Sequence, residues 1–214
     1  MRLLSPFHAH ECNQDFSLTT HRSVNIGVAM LNRSFEEMGI PPGYGFKHLL
    51  FSPVASVLIV QAQSSGKDWR PERLYFRQIA SDKYNAVGQP EDLVSQDSPF
   101  AHPSKPLLAY NCLEHRFSVD ATGEERHSGD WDSLNIYDLR QQTEVESINR
   151  QTLTLPAGVV RGWISAVVAF SDSGFFVQAG LSKDGSNRMD YVVAEVDLSR
   201  RILKPIGALP ATFI

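Results

Sequence analysis

The sequence predicts an all-β protein built from a four-strand unit written three times. Two observations carry that expectation. First, "LNIYDLRQQTEVESI" (Leu134 to Ile148) and "VAEVDLSRRILKPI" (Val193 to Ile206) share one plan: an alternating run, Asp-Leu, a polar turn and a second run. Second, each is preceded by two shorter, more apolar runs joined by a turn, and a third copy of the whole arrangement lies upstream. Repeats are read before single elements, because each unit buries its apolar faces only against its neighbours.

Residues 1–44 form an N-terminal segment. In it "SVNIGVAML" (Ser23 to Leu31) reads as one or two strands that complete a last unit or cap an open edge. "NRSFEEMG" (Asn32 to Gly39) reads as a short helix, with Ser34 as N-cap, Glu36 and Glu37 in the first turn and Gly39 as the stop. "GIPPGYGF" (Gly39 to Phe46) is a rigid turn and lacks the Lys-Ser/Thr ending of a phosphate loop.

The β domain spans 45–214. Its first unit holds "LLFSPVASVLIVQAQ" (Leu49 to Gln63) and "RLYFRQIASDKYNAV" (Arg73 to Val87). The second holds "PFAHPSKPLLAYN" (Pro99 to Asn111) and Leu134 to Ile148. The third holds "VVAFSDSGFFVQAG" (Val167 to Gly180) and "YVVAEVDLSRRILKPI" (Tyr191 to Ile206). Each opens with a strand that meets a turn at Ser52-Pro53, His102-Pro103 or Ser171-Asp172. Such residues make turns because proline pre-sets φ and Ser or Asp bonds back to nearby backbone. The runs between, such as Val57-Leu58-Ile59-Val60 and Phe175-Phe176-Val177, are β-branched and aromatic, as strands packed on both faces require.

Four antiparallel strands in roughly 50 residues is the blade unit of a β-propeller. The "FSP" and "IYDL" elements resemble WD-repeat and TolB-like blades, and the resemblance covers roughly Gly45 to Gly207. It implies a propeller-like array of about three blades plus the N-terminal segment. The Gly-His and Trp-Asp punctuation of WD blades is missing from its usual places; Trp131-Asp132 precedes the third strand of its unit. A β-sandwich made from the same strands is the alternative, since strand patterns alone do not fix sheet closure.

The chain has 214 residues, 42% of them hydrophobic, and a net charge of -4. That supports a real core and argues against a nucleic-acid partner, which selects a basic face. The two cysteines, Cys12 and Cys112, form no paired motif, so a reducing, cytoplasmic setting is expected. No apolar run approaches the roughly 20 residues of a membrane helix, and no secretory h-region is seen.

The units differ most between their second and third strands. The middle one carries "EHRFSVDATGEERHSGDWDS" (Glu114 to Ser133), read as a long, acidic surface loop. Its Glu124, Glu125, Asp130 and Asp132 would steer a basic partner, and Trp131 would anchor it. Trp69, in the connection Ser64 to Glu72, is a further interface candidate, with local packing as the other reading; Trp163 reads as core. "HAHEC" (His8 to Cys12) shows only half of a zinc site and reads as a solvated terminus. "SKDGSN" (Ser182 to Asn187) has no Glu at the twelfth position of a calcium loop and reads as a turn.

No Gly-x-Ser-x-Gly, His-Glu-x-x-His or paired-Cys motif occurs, so no catalytic residue, metal or cofactor is expected. The resulting expectation is a non-enzymatic protein-binding protein, such as a cytoplasmic immunity protein that neutralises a basic toxin like a nuclease. The alternative is a ligand- or metal-binding domain, lectin-like or hydrolase-like, using His115, His127 or Asp130.

Overall fold

A computed structural model of the chain describes residues 36–37, 39–65, 69–89, 92–119, 125–186 and 188–209. The described residues form twelve strands: β1 (Tyr44–Ser52), β2 (Val57–Ser64), β3 (Arg73–Gln78), β4 (Asn85–Ala86), β5 (Val94–Ala101), β6 (Leu107–Val119), β7 (Glu125–Asp138), β8 (Thr143–Asn149), β9 (Arg161–Phe170), β10 (Gly174–Ser182), β11 (Asp190–Asp197) and β12 (Ile202–Ala208). They make three four-stranded sheets, β1 to β4, β5 to β8 and β9 to β12, each running in chain order with antiparallel neighbours. The protein is therefore all-β, with one sheet per sequence unit. Among the described residues no helix is long and apolar enough to cross a membrane.

The turns show why the units repeat. At the first turn of each sheet, a side chain accepts from the backbone it turns. Ser52 Oγ takes the Ala55 N–H at 3.4 Å, His102 Nδ1 takes those of Ser104 and Lys105 at 3.0 and 3.1 Å, and Ser171 Oγ takes that of Gly174 at 3.0 Å. At the last turn, Asp138 Oδ1 accepts from Arg140 and Gln141 N–H, and Asp197 Oδ1 accepts from Arg200 N–H. Four residues after each Asp, Gln142 and Arg201 both sit at φ 55°. The Leu after each Asp drops into a core: Leu139 is fully buried and Leu198 packs at a core's margin. The Asp-Leu pair is a turn device, with the Asp replacing a backbone partner and the Leu pinning the turn to the sheet.

Packing follows a rule. β5, the first strand of sheet 2, lies against β1, β2 and β3. β9, the first strand of sheet 3, lies against β5, β6 and β7. Between sheets 1 and 2 sit Val57, Ile59, Leu74 and Phe76 against Leu108, Tyr110, Cys112 and Tyr137. Between sheets 2 and 3 sit Ala109, Trp131, Leu134 and Ile136 against Ile164, Phe175, Val177 and Val196. Odd and even residues of β6 serve the two junctions in turn, as a pleated strand requires. The outward face of sheet 1 is partly covered by Ile40, Tyr44 and Tyr84 over Val60, Ala62 and Tyr75.

Two expectations change here. Glu114 to Ser133 is not a loop: β6 and β7 pair from Leu107↔Asp138 out to Val119↔Glu125. Residues 36, 37 and 39 form a turn, closed by the Gly39 N–H on the Glu36 carbonyl at 3.0 Å, where a helix was expected. Glycine suits that stop because its φ is 85°. The strand expected at Ser23 to Leu31 lies outside the described residues.

Candidate functional site

The β6–β7 hairpin overshoots its neighbours, and its sequence explains how. "LEHRFSV" (Leu113 to Val119) alternates, so Leu113, His115, Phe117 and Val119 share one face. That face continues the one that packs on sheet 3, since Asn111 Nδ2 bonds the Ile164 carbonyl at 3.2 Å. Beyond sheet 3 it runs on as a partly exposed surface. Phe117 is 50% exposed, and Leu93 and Val119 are also exposed. Leu93 belongs to the same face, because its carbonyl accepts the His115 N–H at 2.8 Å across the strand pair.

Trp69 reaches this face from the β2–β3 connection and is 38% exposed. Its ring meets those of His115 and Phe117 edge-on, with centroids 4.7 and 4.9 Å apart. His115 Nε2 lies 2.8 Å from Ser95 Oγ, which also takes the Glu72 N–H at 2.9 Å. The loop bearing Trp69 is thus tied to sheet 2. Beside the rings opens a pocket of about 240 Å³ lined by Trp69, Arg70, Glu72, Asp97, Leu113 and His115.

The pocket floor is an ionic network. Lys47 Nζ lies 2.8 Å from Glu72 and 3.1 Å from Asp97, and Gln61 Nε2 donates to both carboxylates. Burial pushes the Asp97 carboxyl up, but the Gln61 hydrogen bond and the Lys47 charge outweigh it and hold the group below its ordinary range. Burial likewise works against the Lys47 ammonium. Its hydrogen bond to Glu72 and the field of Asp97 prevail and raise it above its ordinary value. Gln61 Oε1 is buried and has no hydrogen-bond partner.

On the opposite face of sheet 2 lies a polar cleft of about 450 Å³, bordered by Gln96, Tyr110, Cys112, Glu114, Glu144 and Arg150. Burial raises the Glu144 carboxyl and pushes the Cys112 thiol up to about 12, which keeps it protonated and unreactive. Among the described residues no group of three His, Cys, Asp or Glu is placed to hold a metal ion.

The residues predicted from sequence separate. Trp131 is a correction: it is 1% exposed and sits in the core between sheets 2 and 3. The cause is a β-bulge. Cys112 pairs with Ser133 and Leu113 with Trp131, so Asp132 is the extra residue, and it turns Trp131 inward. Asp130 does not stand free to steer a partner; it pairs with Arg150 at 3.0 Å and Arg161 at 3.2 Å. Asp132 accepts from Ser133 Oγ at 3.0 Å. Glu125 opens β7, while Glu124, the side chain of His127 and the His8-to-Cys12 cluster lie outside the described residues. Trp69 is in the site. Leu93, Phe117 and Val119 were missed; the period-two alternation of Leu113 to Val119 was the signal that held Phe117 and Val119, and no local pattern marked Leu93. Compared with protein-family models, curated proteins and solved structures, the chain matches none.

Proposed function

We propose that the three sheets are propeller-like blades and that the protein is a non-enzymatic binding protein whose partner docks on the Leu93, Trp69, Phe117 and Val119 patch. The contiguity of the first strands supports the blade reading: β1 touches β5, and β5 touches β9, as the inner strands of a fan do. One observation carries the docking reading. Four large apolar side chains from two sheets converge on one exposed face, organised by ring contacts around Trp69. Clustered exposed aromatics of this kind mark interaction sites, and they give up water to a partner without needing chemistry.

The partner is proposed to be a basic protein. The chain carries a net charge of -4. An immunity-type inhibitor of a cytoplasmic nuclease toxin fits that size and charge. The test is co-purification of the tagged chain from its source cell, alongside the Phe117→Ser and Trp69→Ala variants. A discrete basic protein should copurify with the parent and be lost with Phe117→Ser; Trp69→Ala should cost about 2 kcal/mol or more of affinity. Recovery of no partner, or equal capture by both variants, would overturn the reading.

A further inference from the structure

Each sheet offers its first strand to the three leading strands of the sheet before it: β5 to sheet 1, β9 to sheet 2. At the two ends of the described residues this rule is left incomplete. β1 has no preceding sheet, and the face of sheet 3 turned away from sheet 2 has no following strand among the described elements.

Both ends are dressed for such a contact. On β1, Leu49 pairs with Val60 and Phe51 with Leu58, so both point to the outward face of sheet 1. They are 41% and 40% exposed, and Phe46 on the same face is also exposed. Another part of that face is covered by Ile40, Tyr44 and Tyr84. What remains open is the first strand, which is the part the rule requires. On sheet 3, Phe175, Val177 and Ala179 face the core, so Phe176 on β10 faces outward, and so do Tyr191 and Val193 on β11. These three are half-buried, and Val168 on β9 and Ile206 on β12 are exposed nearby.

A closed propeller needs about four to eight blades, and the described residues supply three sheets. Resting on the blade reading, we propose that two copies close into one six-bladed ring, with β1 of each copy seated on the outward face of sheet 3 of the other. The contact is head-to-tail and made twice, which is how a two-fold ring closes without leaving an open end. It repeats the interface already used twice within the chain, and so needs no new kind of surface.

Size-exclusion chromatography with light scattering tests this on the full chain across a dilution series. The expected result is twice the chain mass, halved by Leu49→Lys or Phe51→Lys at one end. Val193→Glu, on the outward face of β11 at the other end, should halve it equally, which keeps the test valid if a β1 variant fails to fold. Val145→Lys, an equally exposed apolar position away from both end faces, should leave the dimer intact. A monomer at every concentration, a species that grows beyond the dimer, or a dimer indifferent to both end faces would overturn the proposal. These outcomes are independent of the partner test, because Phe117 and Trp69 lie outside both end faces.

Discussion

Sheets 2 and 3 meet over Trp131, Leu134, Phe175 and Val177, with Asn111 and Ser98 bonded to backbone carbonyls of β9 and ion pairs at the margin, whereas sheets 1 and 2 meet over Phe76, Leu108 and Tyr110 and enclose a half-buried ionic network. At that second junction Gln96 takes the Leu74 N–H at 2.9 Å and gives its own N–H to the Val87 carbonyl at 2.6 Å. Lys47, Glu72, Asp97 and Gln61 close its inner end. One repeating unit thus supports two ways of joining. The drier junction keeps its ion pairs at the surface, where they contribute little, and the more polar one is directional and draws on charged groups inside it. Buried polar groups keep their value only while every partner is present.

The largest test of this contrast is Trp131→Ala. Removing the biggest side chain of the drier junction should cost about 3–5 kcal/mol in denaturant unfolding. A loss near 1 kcal/mol would show that Trp131 is not a keystone of the core. Next, Asp97→Ala should cost about 1–3 kcal/mol, because it removes one of the two carboxylates that Gln61 and Lys47 share. Cys112 gives a local readout, since its buried thiol belongs to the polar junction. Pulse alkylation followed by peptide mass analysis should find it protected in the parent and labelled sooner in Asp97→Ala.

The polar junction should also respond to pH at both ends of the scale. Asp97 has a lowered pKa when folded, so its contribution is complete above the ordinary value near 3.8 and is lost as pH falls through the lower folded value. Lys47 has a raised pKa, so its contribution is complete below 10.5 and is lost as pH rises through the folded value. The denaturant midpoint should fall in acid in the parent and fall less with acid in Asp97→Ala.

Smaller effects sharpen the picture. Trp131 Nε1 is buried without a hydrogen-bond partner. Trp131→Phe removes that orphan along with some volume, so it should cost only about 1–2 kcal/mol, well below the alanine change. Phe117→Ser should shift stability by no more than about 0.5 kcal/mol, since the side chain is half exposed. Its effect belongs to partner capture alone, and a large drop in melting temperature would mean the patch is part of the core.

The strands and their grouping were legible because turn chemistry and alternation are local properties. The paired Asp-Leu turns and the Ser52, His102 and Ser171 turns announce themselves within a few residues. The site was less legible for two physical reasons. A single extra residue, Asp132, reverses which side Trp131 faces, and a bulge leaves no mark in composition. The convergence of Trp69 on Phe117 joins positions from separate units, and nothing local links them. Charged residues in Leu113 to Val119 masked an alternation that a period-two reading would have recovered.

The strict neighbour-to-neighbour order of each sheet has a consequence for how the chain acquires its shape. Every strand pair within a sheet is a hairpin, so no ladder must wait for a distant segment to arrive. Loop-closure cost is small for such pairs, which favours rapid formation of each sheet by itself. Joining the sheets is then the slow event, and it depends on two first strands, β5 and β9, finding their seats.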